Sequence, residues 1–185
     1  MTSALIVVDV QNDFADPAGS LYVSGGEQIV SPINAEIAAA EAVFYTQDWH
    51  PPSTPHFITE GGIWPVHCVR DTWGAALHPD LQVRGPVVRK GTGGEDGYSG
   101  FSVRDPVSGE ESATRLGSLL AEAGVRSIVV AGLAGDVCVK ATALDGLRLG
   151  YEVTVPVGLT RFVNLTPGDD ERAVEELRAA GVTVI

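Results

Sequence analysis

The sequence predicts an α/β fold of three layers, a mostly parallel central sheet flanked by helices on both faces. Three observations predict it. Short runs rich in Val and Ile, apolar on both faces, recur along the chain, as strands buried from two sides require. Stretches of helical period separate them. Glycines stand where three of those helices should end.

The apolar runs are residues 4–10, 42–46, 85–90, 127–133 and 151–157, with a short tail at 182–185. Helical patterns cover residues 31–41, 111–123, 137–149 and 168–180, and Gly124, Gly150 and Gly181 close three of them. No repeat, low-complexity tract or linker interrupts residues 1–185, which read as one domain. Residues 15–26 and 51–81 break the rhythm and are rich in Gly, Pro, Trp and His. Loops of that length in a small domain usually carry function. Open parallel sheets bind ligands at the carboxyl ends of their strands, so polar residues there are the place to look.

Composition narrows the function classes. Twelve basic residues against 24 acidic ones give a formal charge of -12, which repels nucleic acid and anionic membranes. Two cysteines do not make a disulfide framework. The apolar stretch ending at Val8 is too short for a leader and runs straight into Asp9, and no stretch approaches a membrane span. The expected address is cytoplasmic. Oligomeric state, including a homo-oligomer, is left open by the sequence.

Each strand end carries something reactive. Asp9 follows four apolar residues, where desolvation can raise a carboxyl pKa toward that of a general base; a turn or cap aspartate is an equal alternative. Asp48 and His50 end the second run, with His56 and His67 close behind. Three of the chain's four His beside an Asp favour a site for one divalent metal, and Zn, Fe and Mn all suit such donors. Lys90 ends the third run and on its own would be a solvated strand end.

The fourth run leads into Gly132-Leu133-Ala134-Gly135-Asp136-Val137-Cys138-Val139. The glycines permit a tight turn. Asp136 as N-cap puts Cys138 in the first helical turn, where the positive helix end lowers a thiol pKa and free N–H groups can hold an oxyanion. A free Cys is most often a small buried hydrophobe, and that reading is kept for Cys68; Cys138 reads as a nucleophile.

Taken in order, these pieces resemble the nicotinamidase/pyrazinamidase branch of the isochorismatase-like hydrolases over nearly the whole chain. The marks are Asp9-x-Gln11-x-Asp13-Phe14, Gly19-Ser20-Leu21-Tyr22-Val23-Ser24-Gly25-Gly26, Thr46-Gln47-Asp48-Trp49-His50-Pro51, Trp64-Pro65-Val66-His67-Cys68, Lys90-Gly91, Tyr98-Ser99-Gly100-Phe101 and the Cys138 turn. The resemblance implies the isochorismatase-like hydrolase fold and a catalytic triad of Asp9, Lys90 and Cys138. It implies metal ligation by Asp48, His50 and His67, with His56 a further ligand in some members. Phe14, Trp64 and Tyr98 would wall the ring pocket, with Leu133 beside them. A cis peptide would join Leu133 to Ala134, and the N–H groups of Ala134 and Cys138 would form the oxyanion hole. The implied reaction takes a small aromatic amide, nicotinamide, to nicotinate and ammonia through a thioester. Two rivals are an amidase of carbamoyl or ureido compounds from the same superfamily, which needs no ring-facing metal, and a metal-binding module without catalysis. Relatives often carry Thr at the position of Gly135 and a larger or polar residue at that of Val137.

Overall fold

In the computed structural model, which describes residues 2–185, the elements follow in order as β1 (Thr2–Val8), α1 (Asn12–Ala15), α2 (Val30–Ala39), β2 (Ala42–Asp48), β3 (Val87–Lys90), β4 (Ser102–Arg104), β5 (Glu111–Ala113), α3 (Leu116–Glu122), β6 (Val125–Leu133), α4 (Cys138–Arg148), β7 (Glu152–Val155), β8 (Thr160–Arg161), α5 (Asp169–Ala180) and β9 (Thr183–Val184). The main sheet has the order β3-β2-β1-β6-β7-β9, with β8 on the end of β6. All of its pairings are parallel.

Alternation along β1 shows why helices lie on both faces. Ala4, Ile6 and Val8 join a core with Leu116, Leu120, Val139, Ala143 and Leu177, which come from α3, α4 and α5. Leu5 and Val7 join the opposite core with Phe14, Ala15, Val30, Ile33 and Ile37, from α1 and α2. A strand with period two therefore feeds two cores at once. Each fully buried aliphatic chain contributes about 1.5–3 kcal/mol. Gly146 lets α4 approach the sheet closely, since a Cβ there would stand 2.6 Å from Ile128 Cδ1.

The order also creates the site. From β1 the chain runs outward to β2 and β3, then returns to β6 on the other side of β1. The crevice above the carboxyl ends of β1 and β6 is the topological switch point, where α/β sheets bind ligands. Among the described residues, no helix is long and apolar enough to cross a membrane.

Gly124, Gly150 and Gly181 take left-handed φ of 66°, 91° and 106° at the ends of α3, α4 and α5, as expected of helix terminators. One expectation fails. The helix predicted over residues 111–123 begins only at Leu116. Residues 111–113 form β5, antiparallel to β4, with Arg104 opposite Glu111. Hairpin pairing with β4 overrides the local helical pattern there.

Candidate active site

Three neighbouring strands end at one level and deliver the charged groups. Asp48 and Lys90 are register partners across β2 and β3, and Asp9 follows Val8, the last residue of β1. Asp9, at φ 49°, is fully buried. Its Oδ2 accepts from Lys90 Nζ at 2.7 Å and its Oδ1 from Thr46 Oγ1 at 2.7 Å. The Lys90 ammonium also donates to Asp48 Oδ1 at 2.5 Å and to the Gly97 carbonyl, so all three of its donors are committed. Cys138 Sγ stands 3.8 Å from Lys90 Nζ and 3.9 Å from the Gly97 carbonyl. Ligand atoms of Asp9, Asp48 and Cys138 all fall within 4.8 Å of one another.

Burial and charge set the protonation states. Burial raises the Asp9 carboxyl to about 6 from an ordinary 3.8, against the pull of Lys90 and with reinforcement from Asp48. Burial also opposes the charged Lys90, yet Asp48 and Asp9 together hold its pKa well above the usual Lys value. Burial pushes the Cys138 thiol well above 9.0, and Lys90 only partly offsets it. The expectation of a lowered thiol is therefore corrected: burial, with the Asp9 and Asp48 carboxylates beside it, raises the thiol instead.

Cys138 is the first residue of α4, as the sequence implied, but the cap is not Asp136. Val137 holds the cap position without a side-chain bond. The Asp136 carboxylate instead accepts from the N–H groups of Val163 at 2.9 Å and Asn164 at 2.8 Å, tying down the segment after β8. The Ala134 carbonyl accepts from Val137 at 3.1 Å and Val139 at 3.0 Å, which leaves the N–H groups of Ala134 and Cys138 outside that pairing. The Leu133–Ala134 peptide is cis. Gly135 is explained by Phe162, whose ring carbons would lie as near as 2.5 Å to a Cβ built there.

The histidines gather beside Asp48. Ligand atoms of His50, His56 and His67 lie within 4.8 Å of one another. Asp48 Oδ2 faces His50 Nε2 at 3.5 Å and His67 Nε2 at 3.8 Å, too far for hydrogen bonds and suited to a shared cation. Both ring nitrogens of His50 are buried without a hydrogen-bond partner among the described residues, which is what a ligand waiting for an ion leaves behind. Nδ1 of His67 points at the Pro65 carbonyl, 2.7 Å away, and Nδ1 of His56 at Asp96 Oδ1. Burial lowers the His56 pKa against the opposing pull of Asp96, so the ring is neutral at neutral pH, the form that ligates metals. The donor set of Asp48, His50, His67 and His56 fits one divalent ion. His78 lies outside this group.

Between the histidines and Cys138 opens a narrow cleft. Phe14, Trp64, Tyr98 and Leu133 line it, with Asp48, His56 and His67 at one part of the wall and Ala134 and Cys138 at another. Trp64 Nε1 donates to the Tyr98 hydroxyl at 2.9 Å, locking two of the aromatic walls together. Leu21, Val23, Val137 and Val163 complete an apolar lining.

Several supporting residues carried no assigned role in the sequence. Gln11 accepts from the Asp48 N–H and donates to the Asp48 carbonyl, each at 2.8 Å, fixing that residue's backbone. Asp13 accepts from Cys68 N–H at 2.7 Å and Ser20 N–H at 3.0 Å, joining both long loops. Their presence in the Asp9-x-Gln11-x-Asp13 run was the only signal.

Residues 3–185 match the isochorismatase domain family. The chain belongs to the isochorismatase-like hydrolases. Among members of that family, the nicotinamidase of Escherichia coli (strain K12) is 37% identical over 203 residues, covering 98% of this chain and 93% of its own. The solved structure of PnC1 from L. infantum in complex with nicotinate superposes with a TM-score of 0.92 at 38% identity, covering 100% of this chain and 92% of its own. The pyrazinamidase of Pyrococcus horikoshii in complex with zinc gives 0.86 at 35% identity, covering 100% and 99%. Within the isochorismatase-like hydrolases, the chain is thus an enzyme of the nicotinamidase/pyrazinamidase branch, acting on amide bonds.

Proposed function

We propose that the protein hydrolyses nicotinamide to nicotinate and ammonia through a thioester on Cys138, and accepts pyrazinamide in the same cleft. One observation carries the reading: Cys138 meets Asp9 and Lys90 at an aromatic cleft that also reaches the Asp48 and His cluster.

The substrate ring lies among Phe14, Trp64 and Tyr98, where aromatic faces favour stacked or edge contacts. Asp9, ionised at neutral pH, takes the Cys138 proton as Sγ attacks the carboxamide carbon. The Ala134 and Cys138 N–H groups hold the resulting oxyanion, each such donor being worth about 3 kcal/mol. Asp9 returns the proton to the nitrogen, the C–N bond breaks and ammonia leaves. A water then attacks the thioester and gives a proton to Asp9. Collapse of this second adduct breaks the C–S bond and restores the Asp9 proton to sulfur, and the acid released gives up its remaining proton, which ammonia takes up in solution, to become nicotinate. Lys90 stabilises the anionic Asp9 and the transient thiolate throughout.

Asp48, His50 and His67, with His56, would hold one divalent ion, of which Zn, Fe and Mn are candidates. When bound, that ion would serve mainly as a template and water source, helping to orient the ring of the substrate so that its amide faces Cys138.

The test is ammonia release from nicotinamide, pyrazinamide and an N-carbamoyl amine, with and without chelator. Release from both aromatic amides is expected, and chelation should raise KM more than it lowers kcat. Release from the carbamoyl compound alone, or kinetics untouched in a protein shown to be metal-free, overturns the reading.

A further inference from the structure

His56 and Asp96 form a contact that the reaction as derived does not use. Asp96 Oδ1 lies 2.5 Å from His56 Nδ1. A carboxylate there fixes the proton on Nδ1, which leaves Nε2 as the lone-pair nitrogen of a buried ring. That ring stacks on His50 at 4.7 Å between centroids and lies 5.4 Å from His67. His67 is held through its own Nδ1 by a peptide carbonyl, a neutral and weaker acceptor. Among the described residues, Asp96 makes no ion pair other than this one.

Asp96 is itself braced. Its N–H donates to the Arg104 carbonyl at 2.7 Å and its carbonyl accepts from the Arg104 N–H at 3.1 Å. Arg104 is the last residue of β4 and pairs with Glu111 of β5. The buried Thr54 hydroxyl makes a second tie, donating to the Gly94 carbonyl at 2.5 Å while accepting from the His56 N–H at 3.2 Å. The glycine-rich strap after β3 and the His56 loop are therefore joined both through the Thr54 hydroxyl and through the His56 ring.

We propose that Asp96 is the positioning residue that makes His56 a ligand of the metal centre, and that the β4–β5 hairpin is the brace that aims Asp96. The inference rests on the metal-holding reading of the Asp48 and His cluster. Carboxylates behind a ligating His orient the ring and raise its basicity, and their loss typically costs about 10–100-fold in metal affinity.

The experiment measures zinc dissociation constants by competition with a chromophoric chelator for wild type, Asp96→Ala, Asp96→Asn, His56→Ala and the Asp96→Ala/His56→Ala pair. In parallel, long-range proton–nitrogen NMR of the zinc-free proteins reads the His56 tautomer, and thermal melts confirm folding. Asp96→Ala should weaken zinc by about 10–100-fold and release the Nδ1–H tautomer. Asp96→Asn, which keeps an acceptor oxygen, should recover most of the affinity. The double variant should bind no more weakly than His56→Ala, because Asp96 acts through that ring. Losses that add in the double variant, or an Asp96→Ala protein with wild-type affinity and tautomer, overturn the inference alone. A wild type with no zinc affinity overturns the metal reading together with it.

Discussion

The two cysteines sit in similar burial and have opposite prospects. Cys68 is 0% exposed and Cys138 7%, and burial pushes both thiols well above 9.0. Burial thus does not tell them apart. The difference is in what surrounds each sulfur. Cys138 opens a helix, borders the cleft and has the Lys90 ammonium 3.8 Å away, with Asp9 behind it. Cys68 takes φ 46° in a loop, its N–H is held by Asp13, and it joins the apolar core beneath α1 and α2. In the proposed reaction, what would set Cys138 apart is a proton acceptor and a cation within reach, and not burial.

Three measurements press on that contrast. The largest effect belongs to Cys138→Ala, which should lower kcat by about 10⁶-fold while the fold stays intact, as loss of the nucleophile does in other triads. Turnover near wild type would erase the distinction between the two sulfurs. Next comes pH. With the Asp9 carboxyl at about 6, kcat/KM should fall tenfold per unit below that value, because the base must be ionised to accept the thiol proton. The sign for stability is opposite to that of an ordinary ion-paired carboxylate. The folded chain keeps the Asp9 proton up to about 6 while the unfolded chain releases it near 3.8, so Asp9 subtracts stability as pH rises through that window. A rate profile flat from pH 5 to 7 would remove Asp9 from the proton path. The smallest effect is that of Cys68→Ala, a lost sulfur in a packed site costing about 1 kcal/mol and about 2–4 °C in Tm. Its kcat should stay within about twofold, and a collapse of activity would show that Cys68 is more than filler.

Much of this architecture is legible in the chain. Valine- and isoleucine-rich runs mark the strands because parallel strands are apolar on both faces, and polar residues at their carboxyl ends made Asp9, Asp48 and the Cys138 turn candidates before any coordinates, whereas Lys90 gained a role only from the family resemblance. The failures have physical causes. Residues 111–113 carry a helical pattern, but their partner is β4, and pairing across a loop leaves no local trace. Asp136 looks like a cap because caps are local, yet its carboxylate serves Val163 and Asn164, far along the chain. The Cys138 thiol was expected low from its helix end, but desolvation is a property of the finished core. Gln11 and Asp96 meet their partners, Asp48 and His56, across long stretches of chain, which spacing in the sequence does not encode.

The parallel ladder β1, β2 and β3 has a consequence for how such a protein can change. Adjacent strands stand about 4.8 Å apart, so the sheet works as a ruler that sets the Asp9, Asp48 and Lys90 backbones at fixed intervals. Part of the apolar wall, by contrast, hangs on segments outside the sheet: Leu21 and Val23 on one long loop, Trp64 on the other and Tyr98 on the strap after β3. Lengthening or recolouring those loops can retune which molecule is admitted, while the chemistry beneath keeps its spacing.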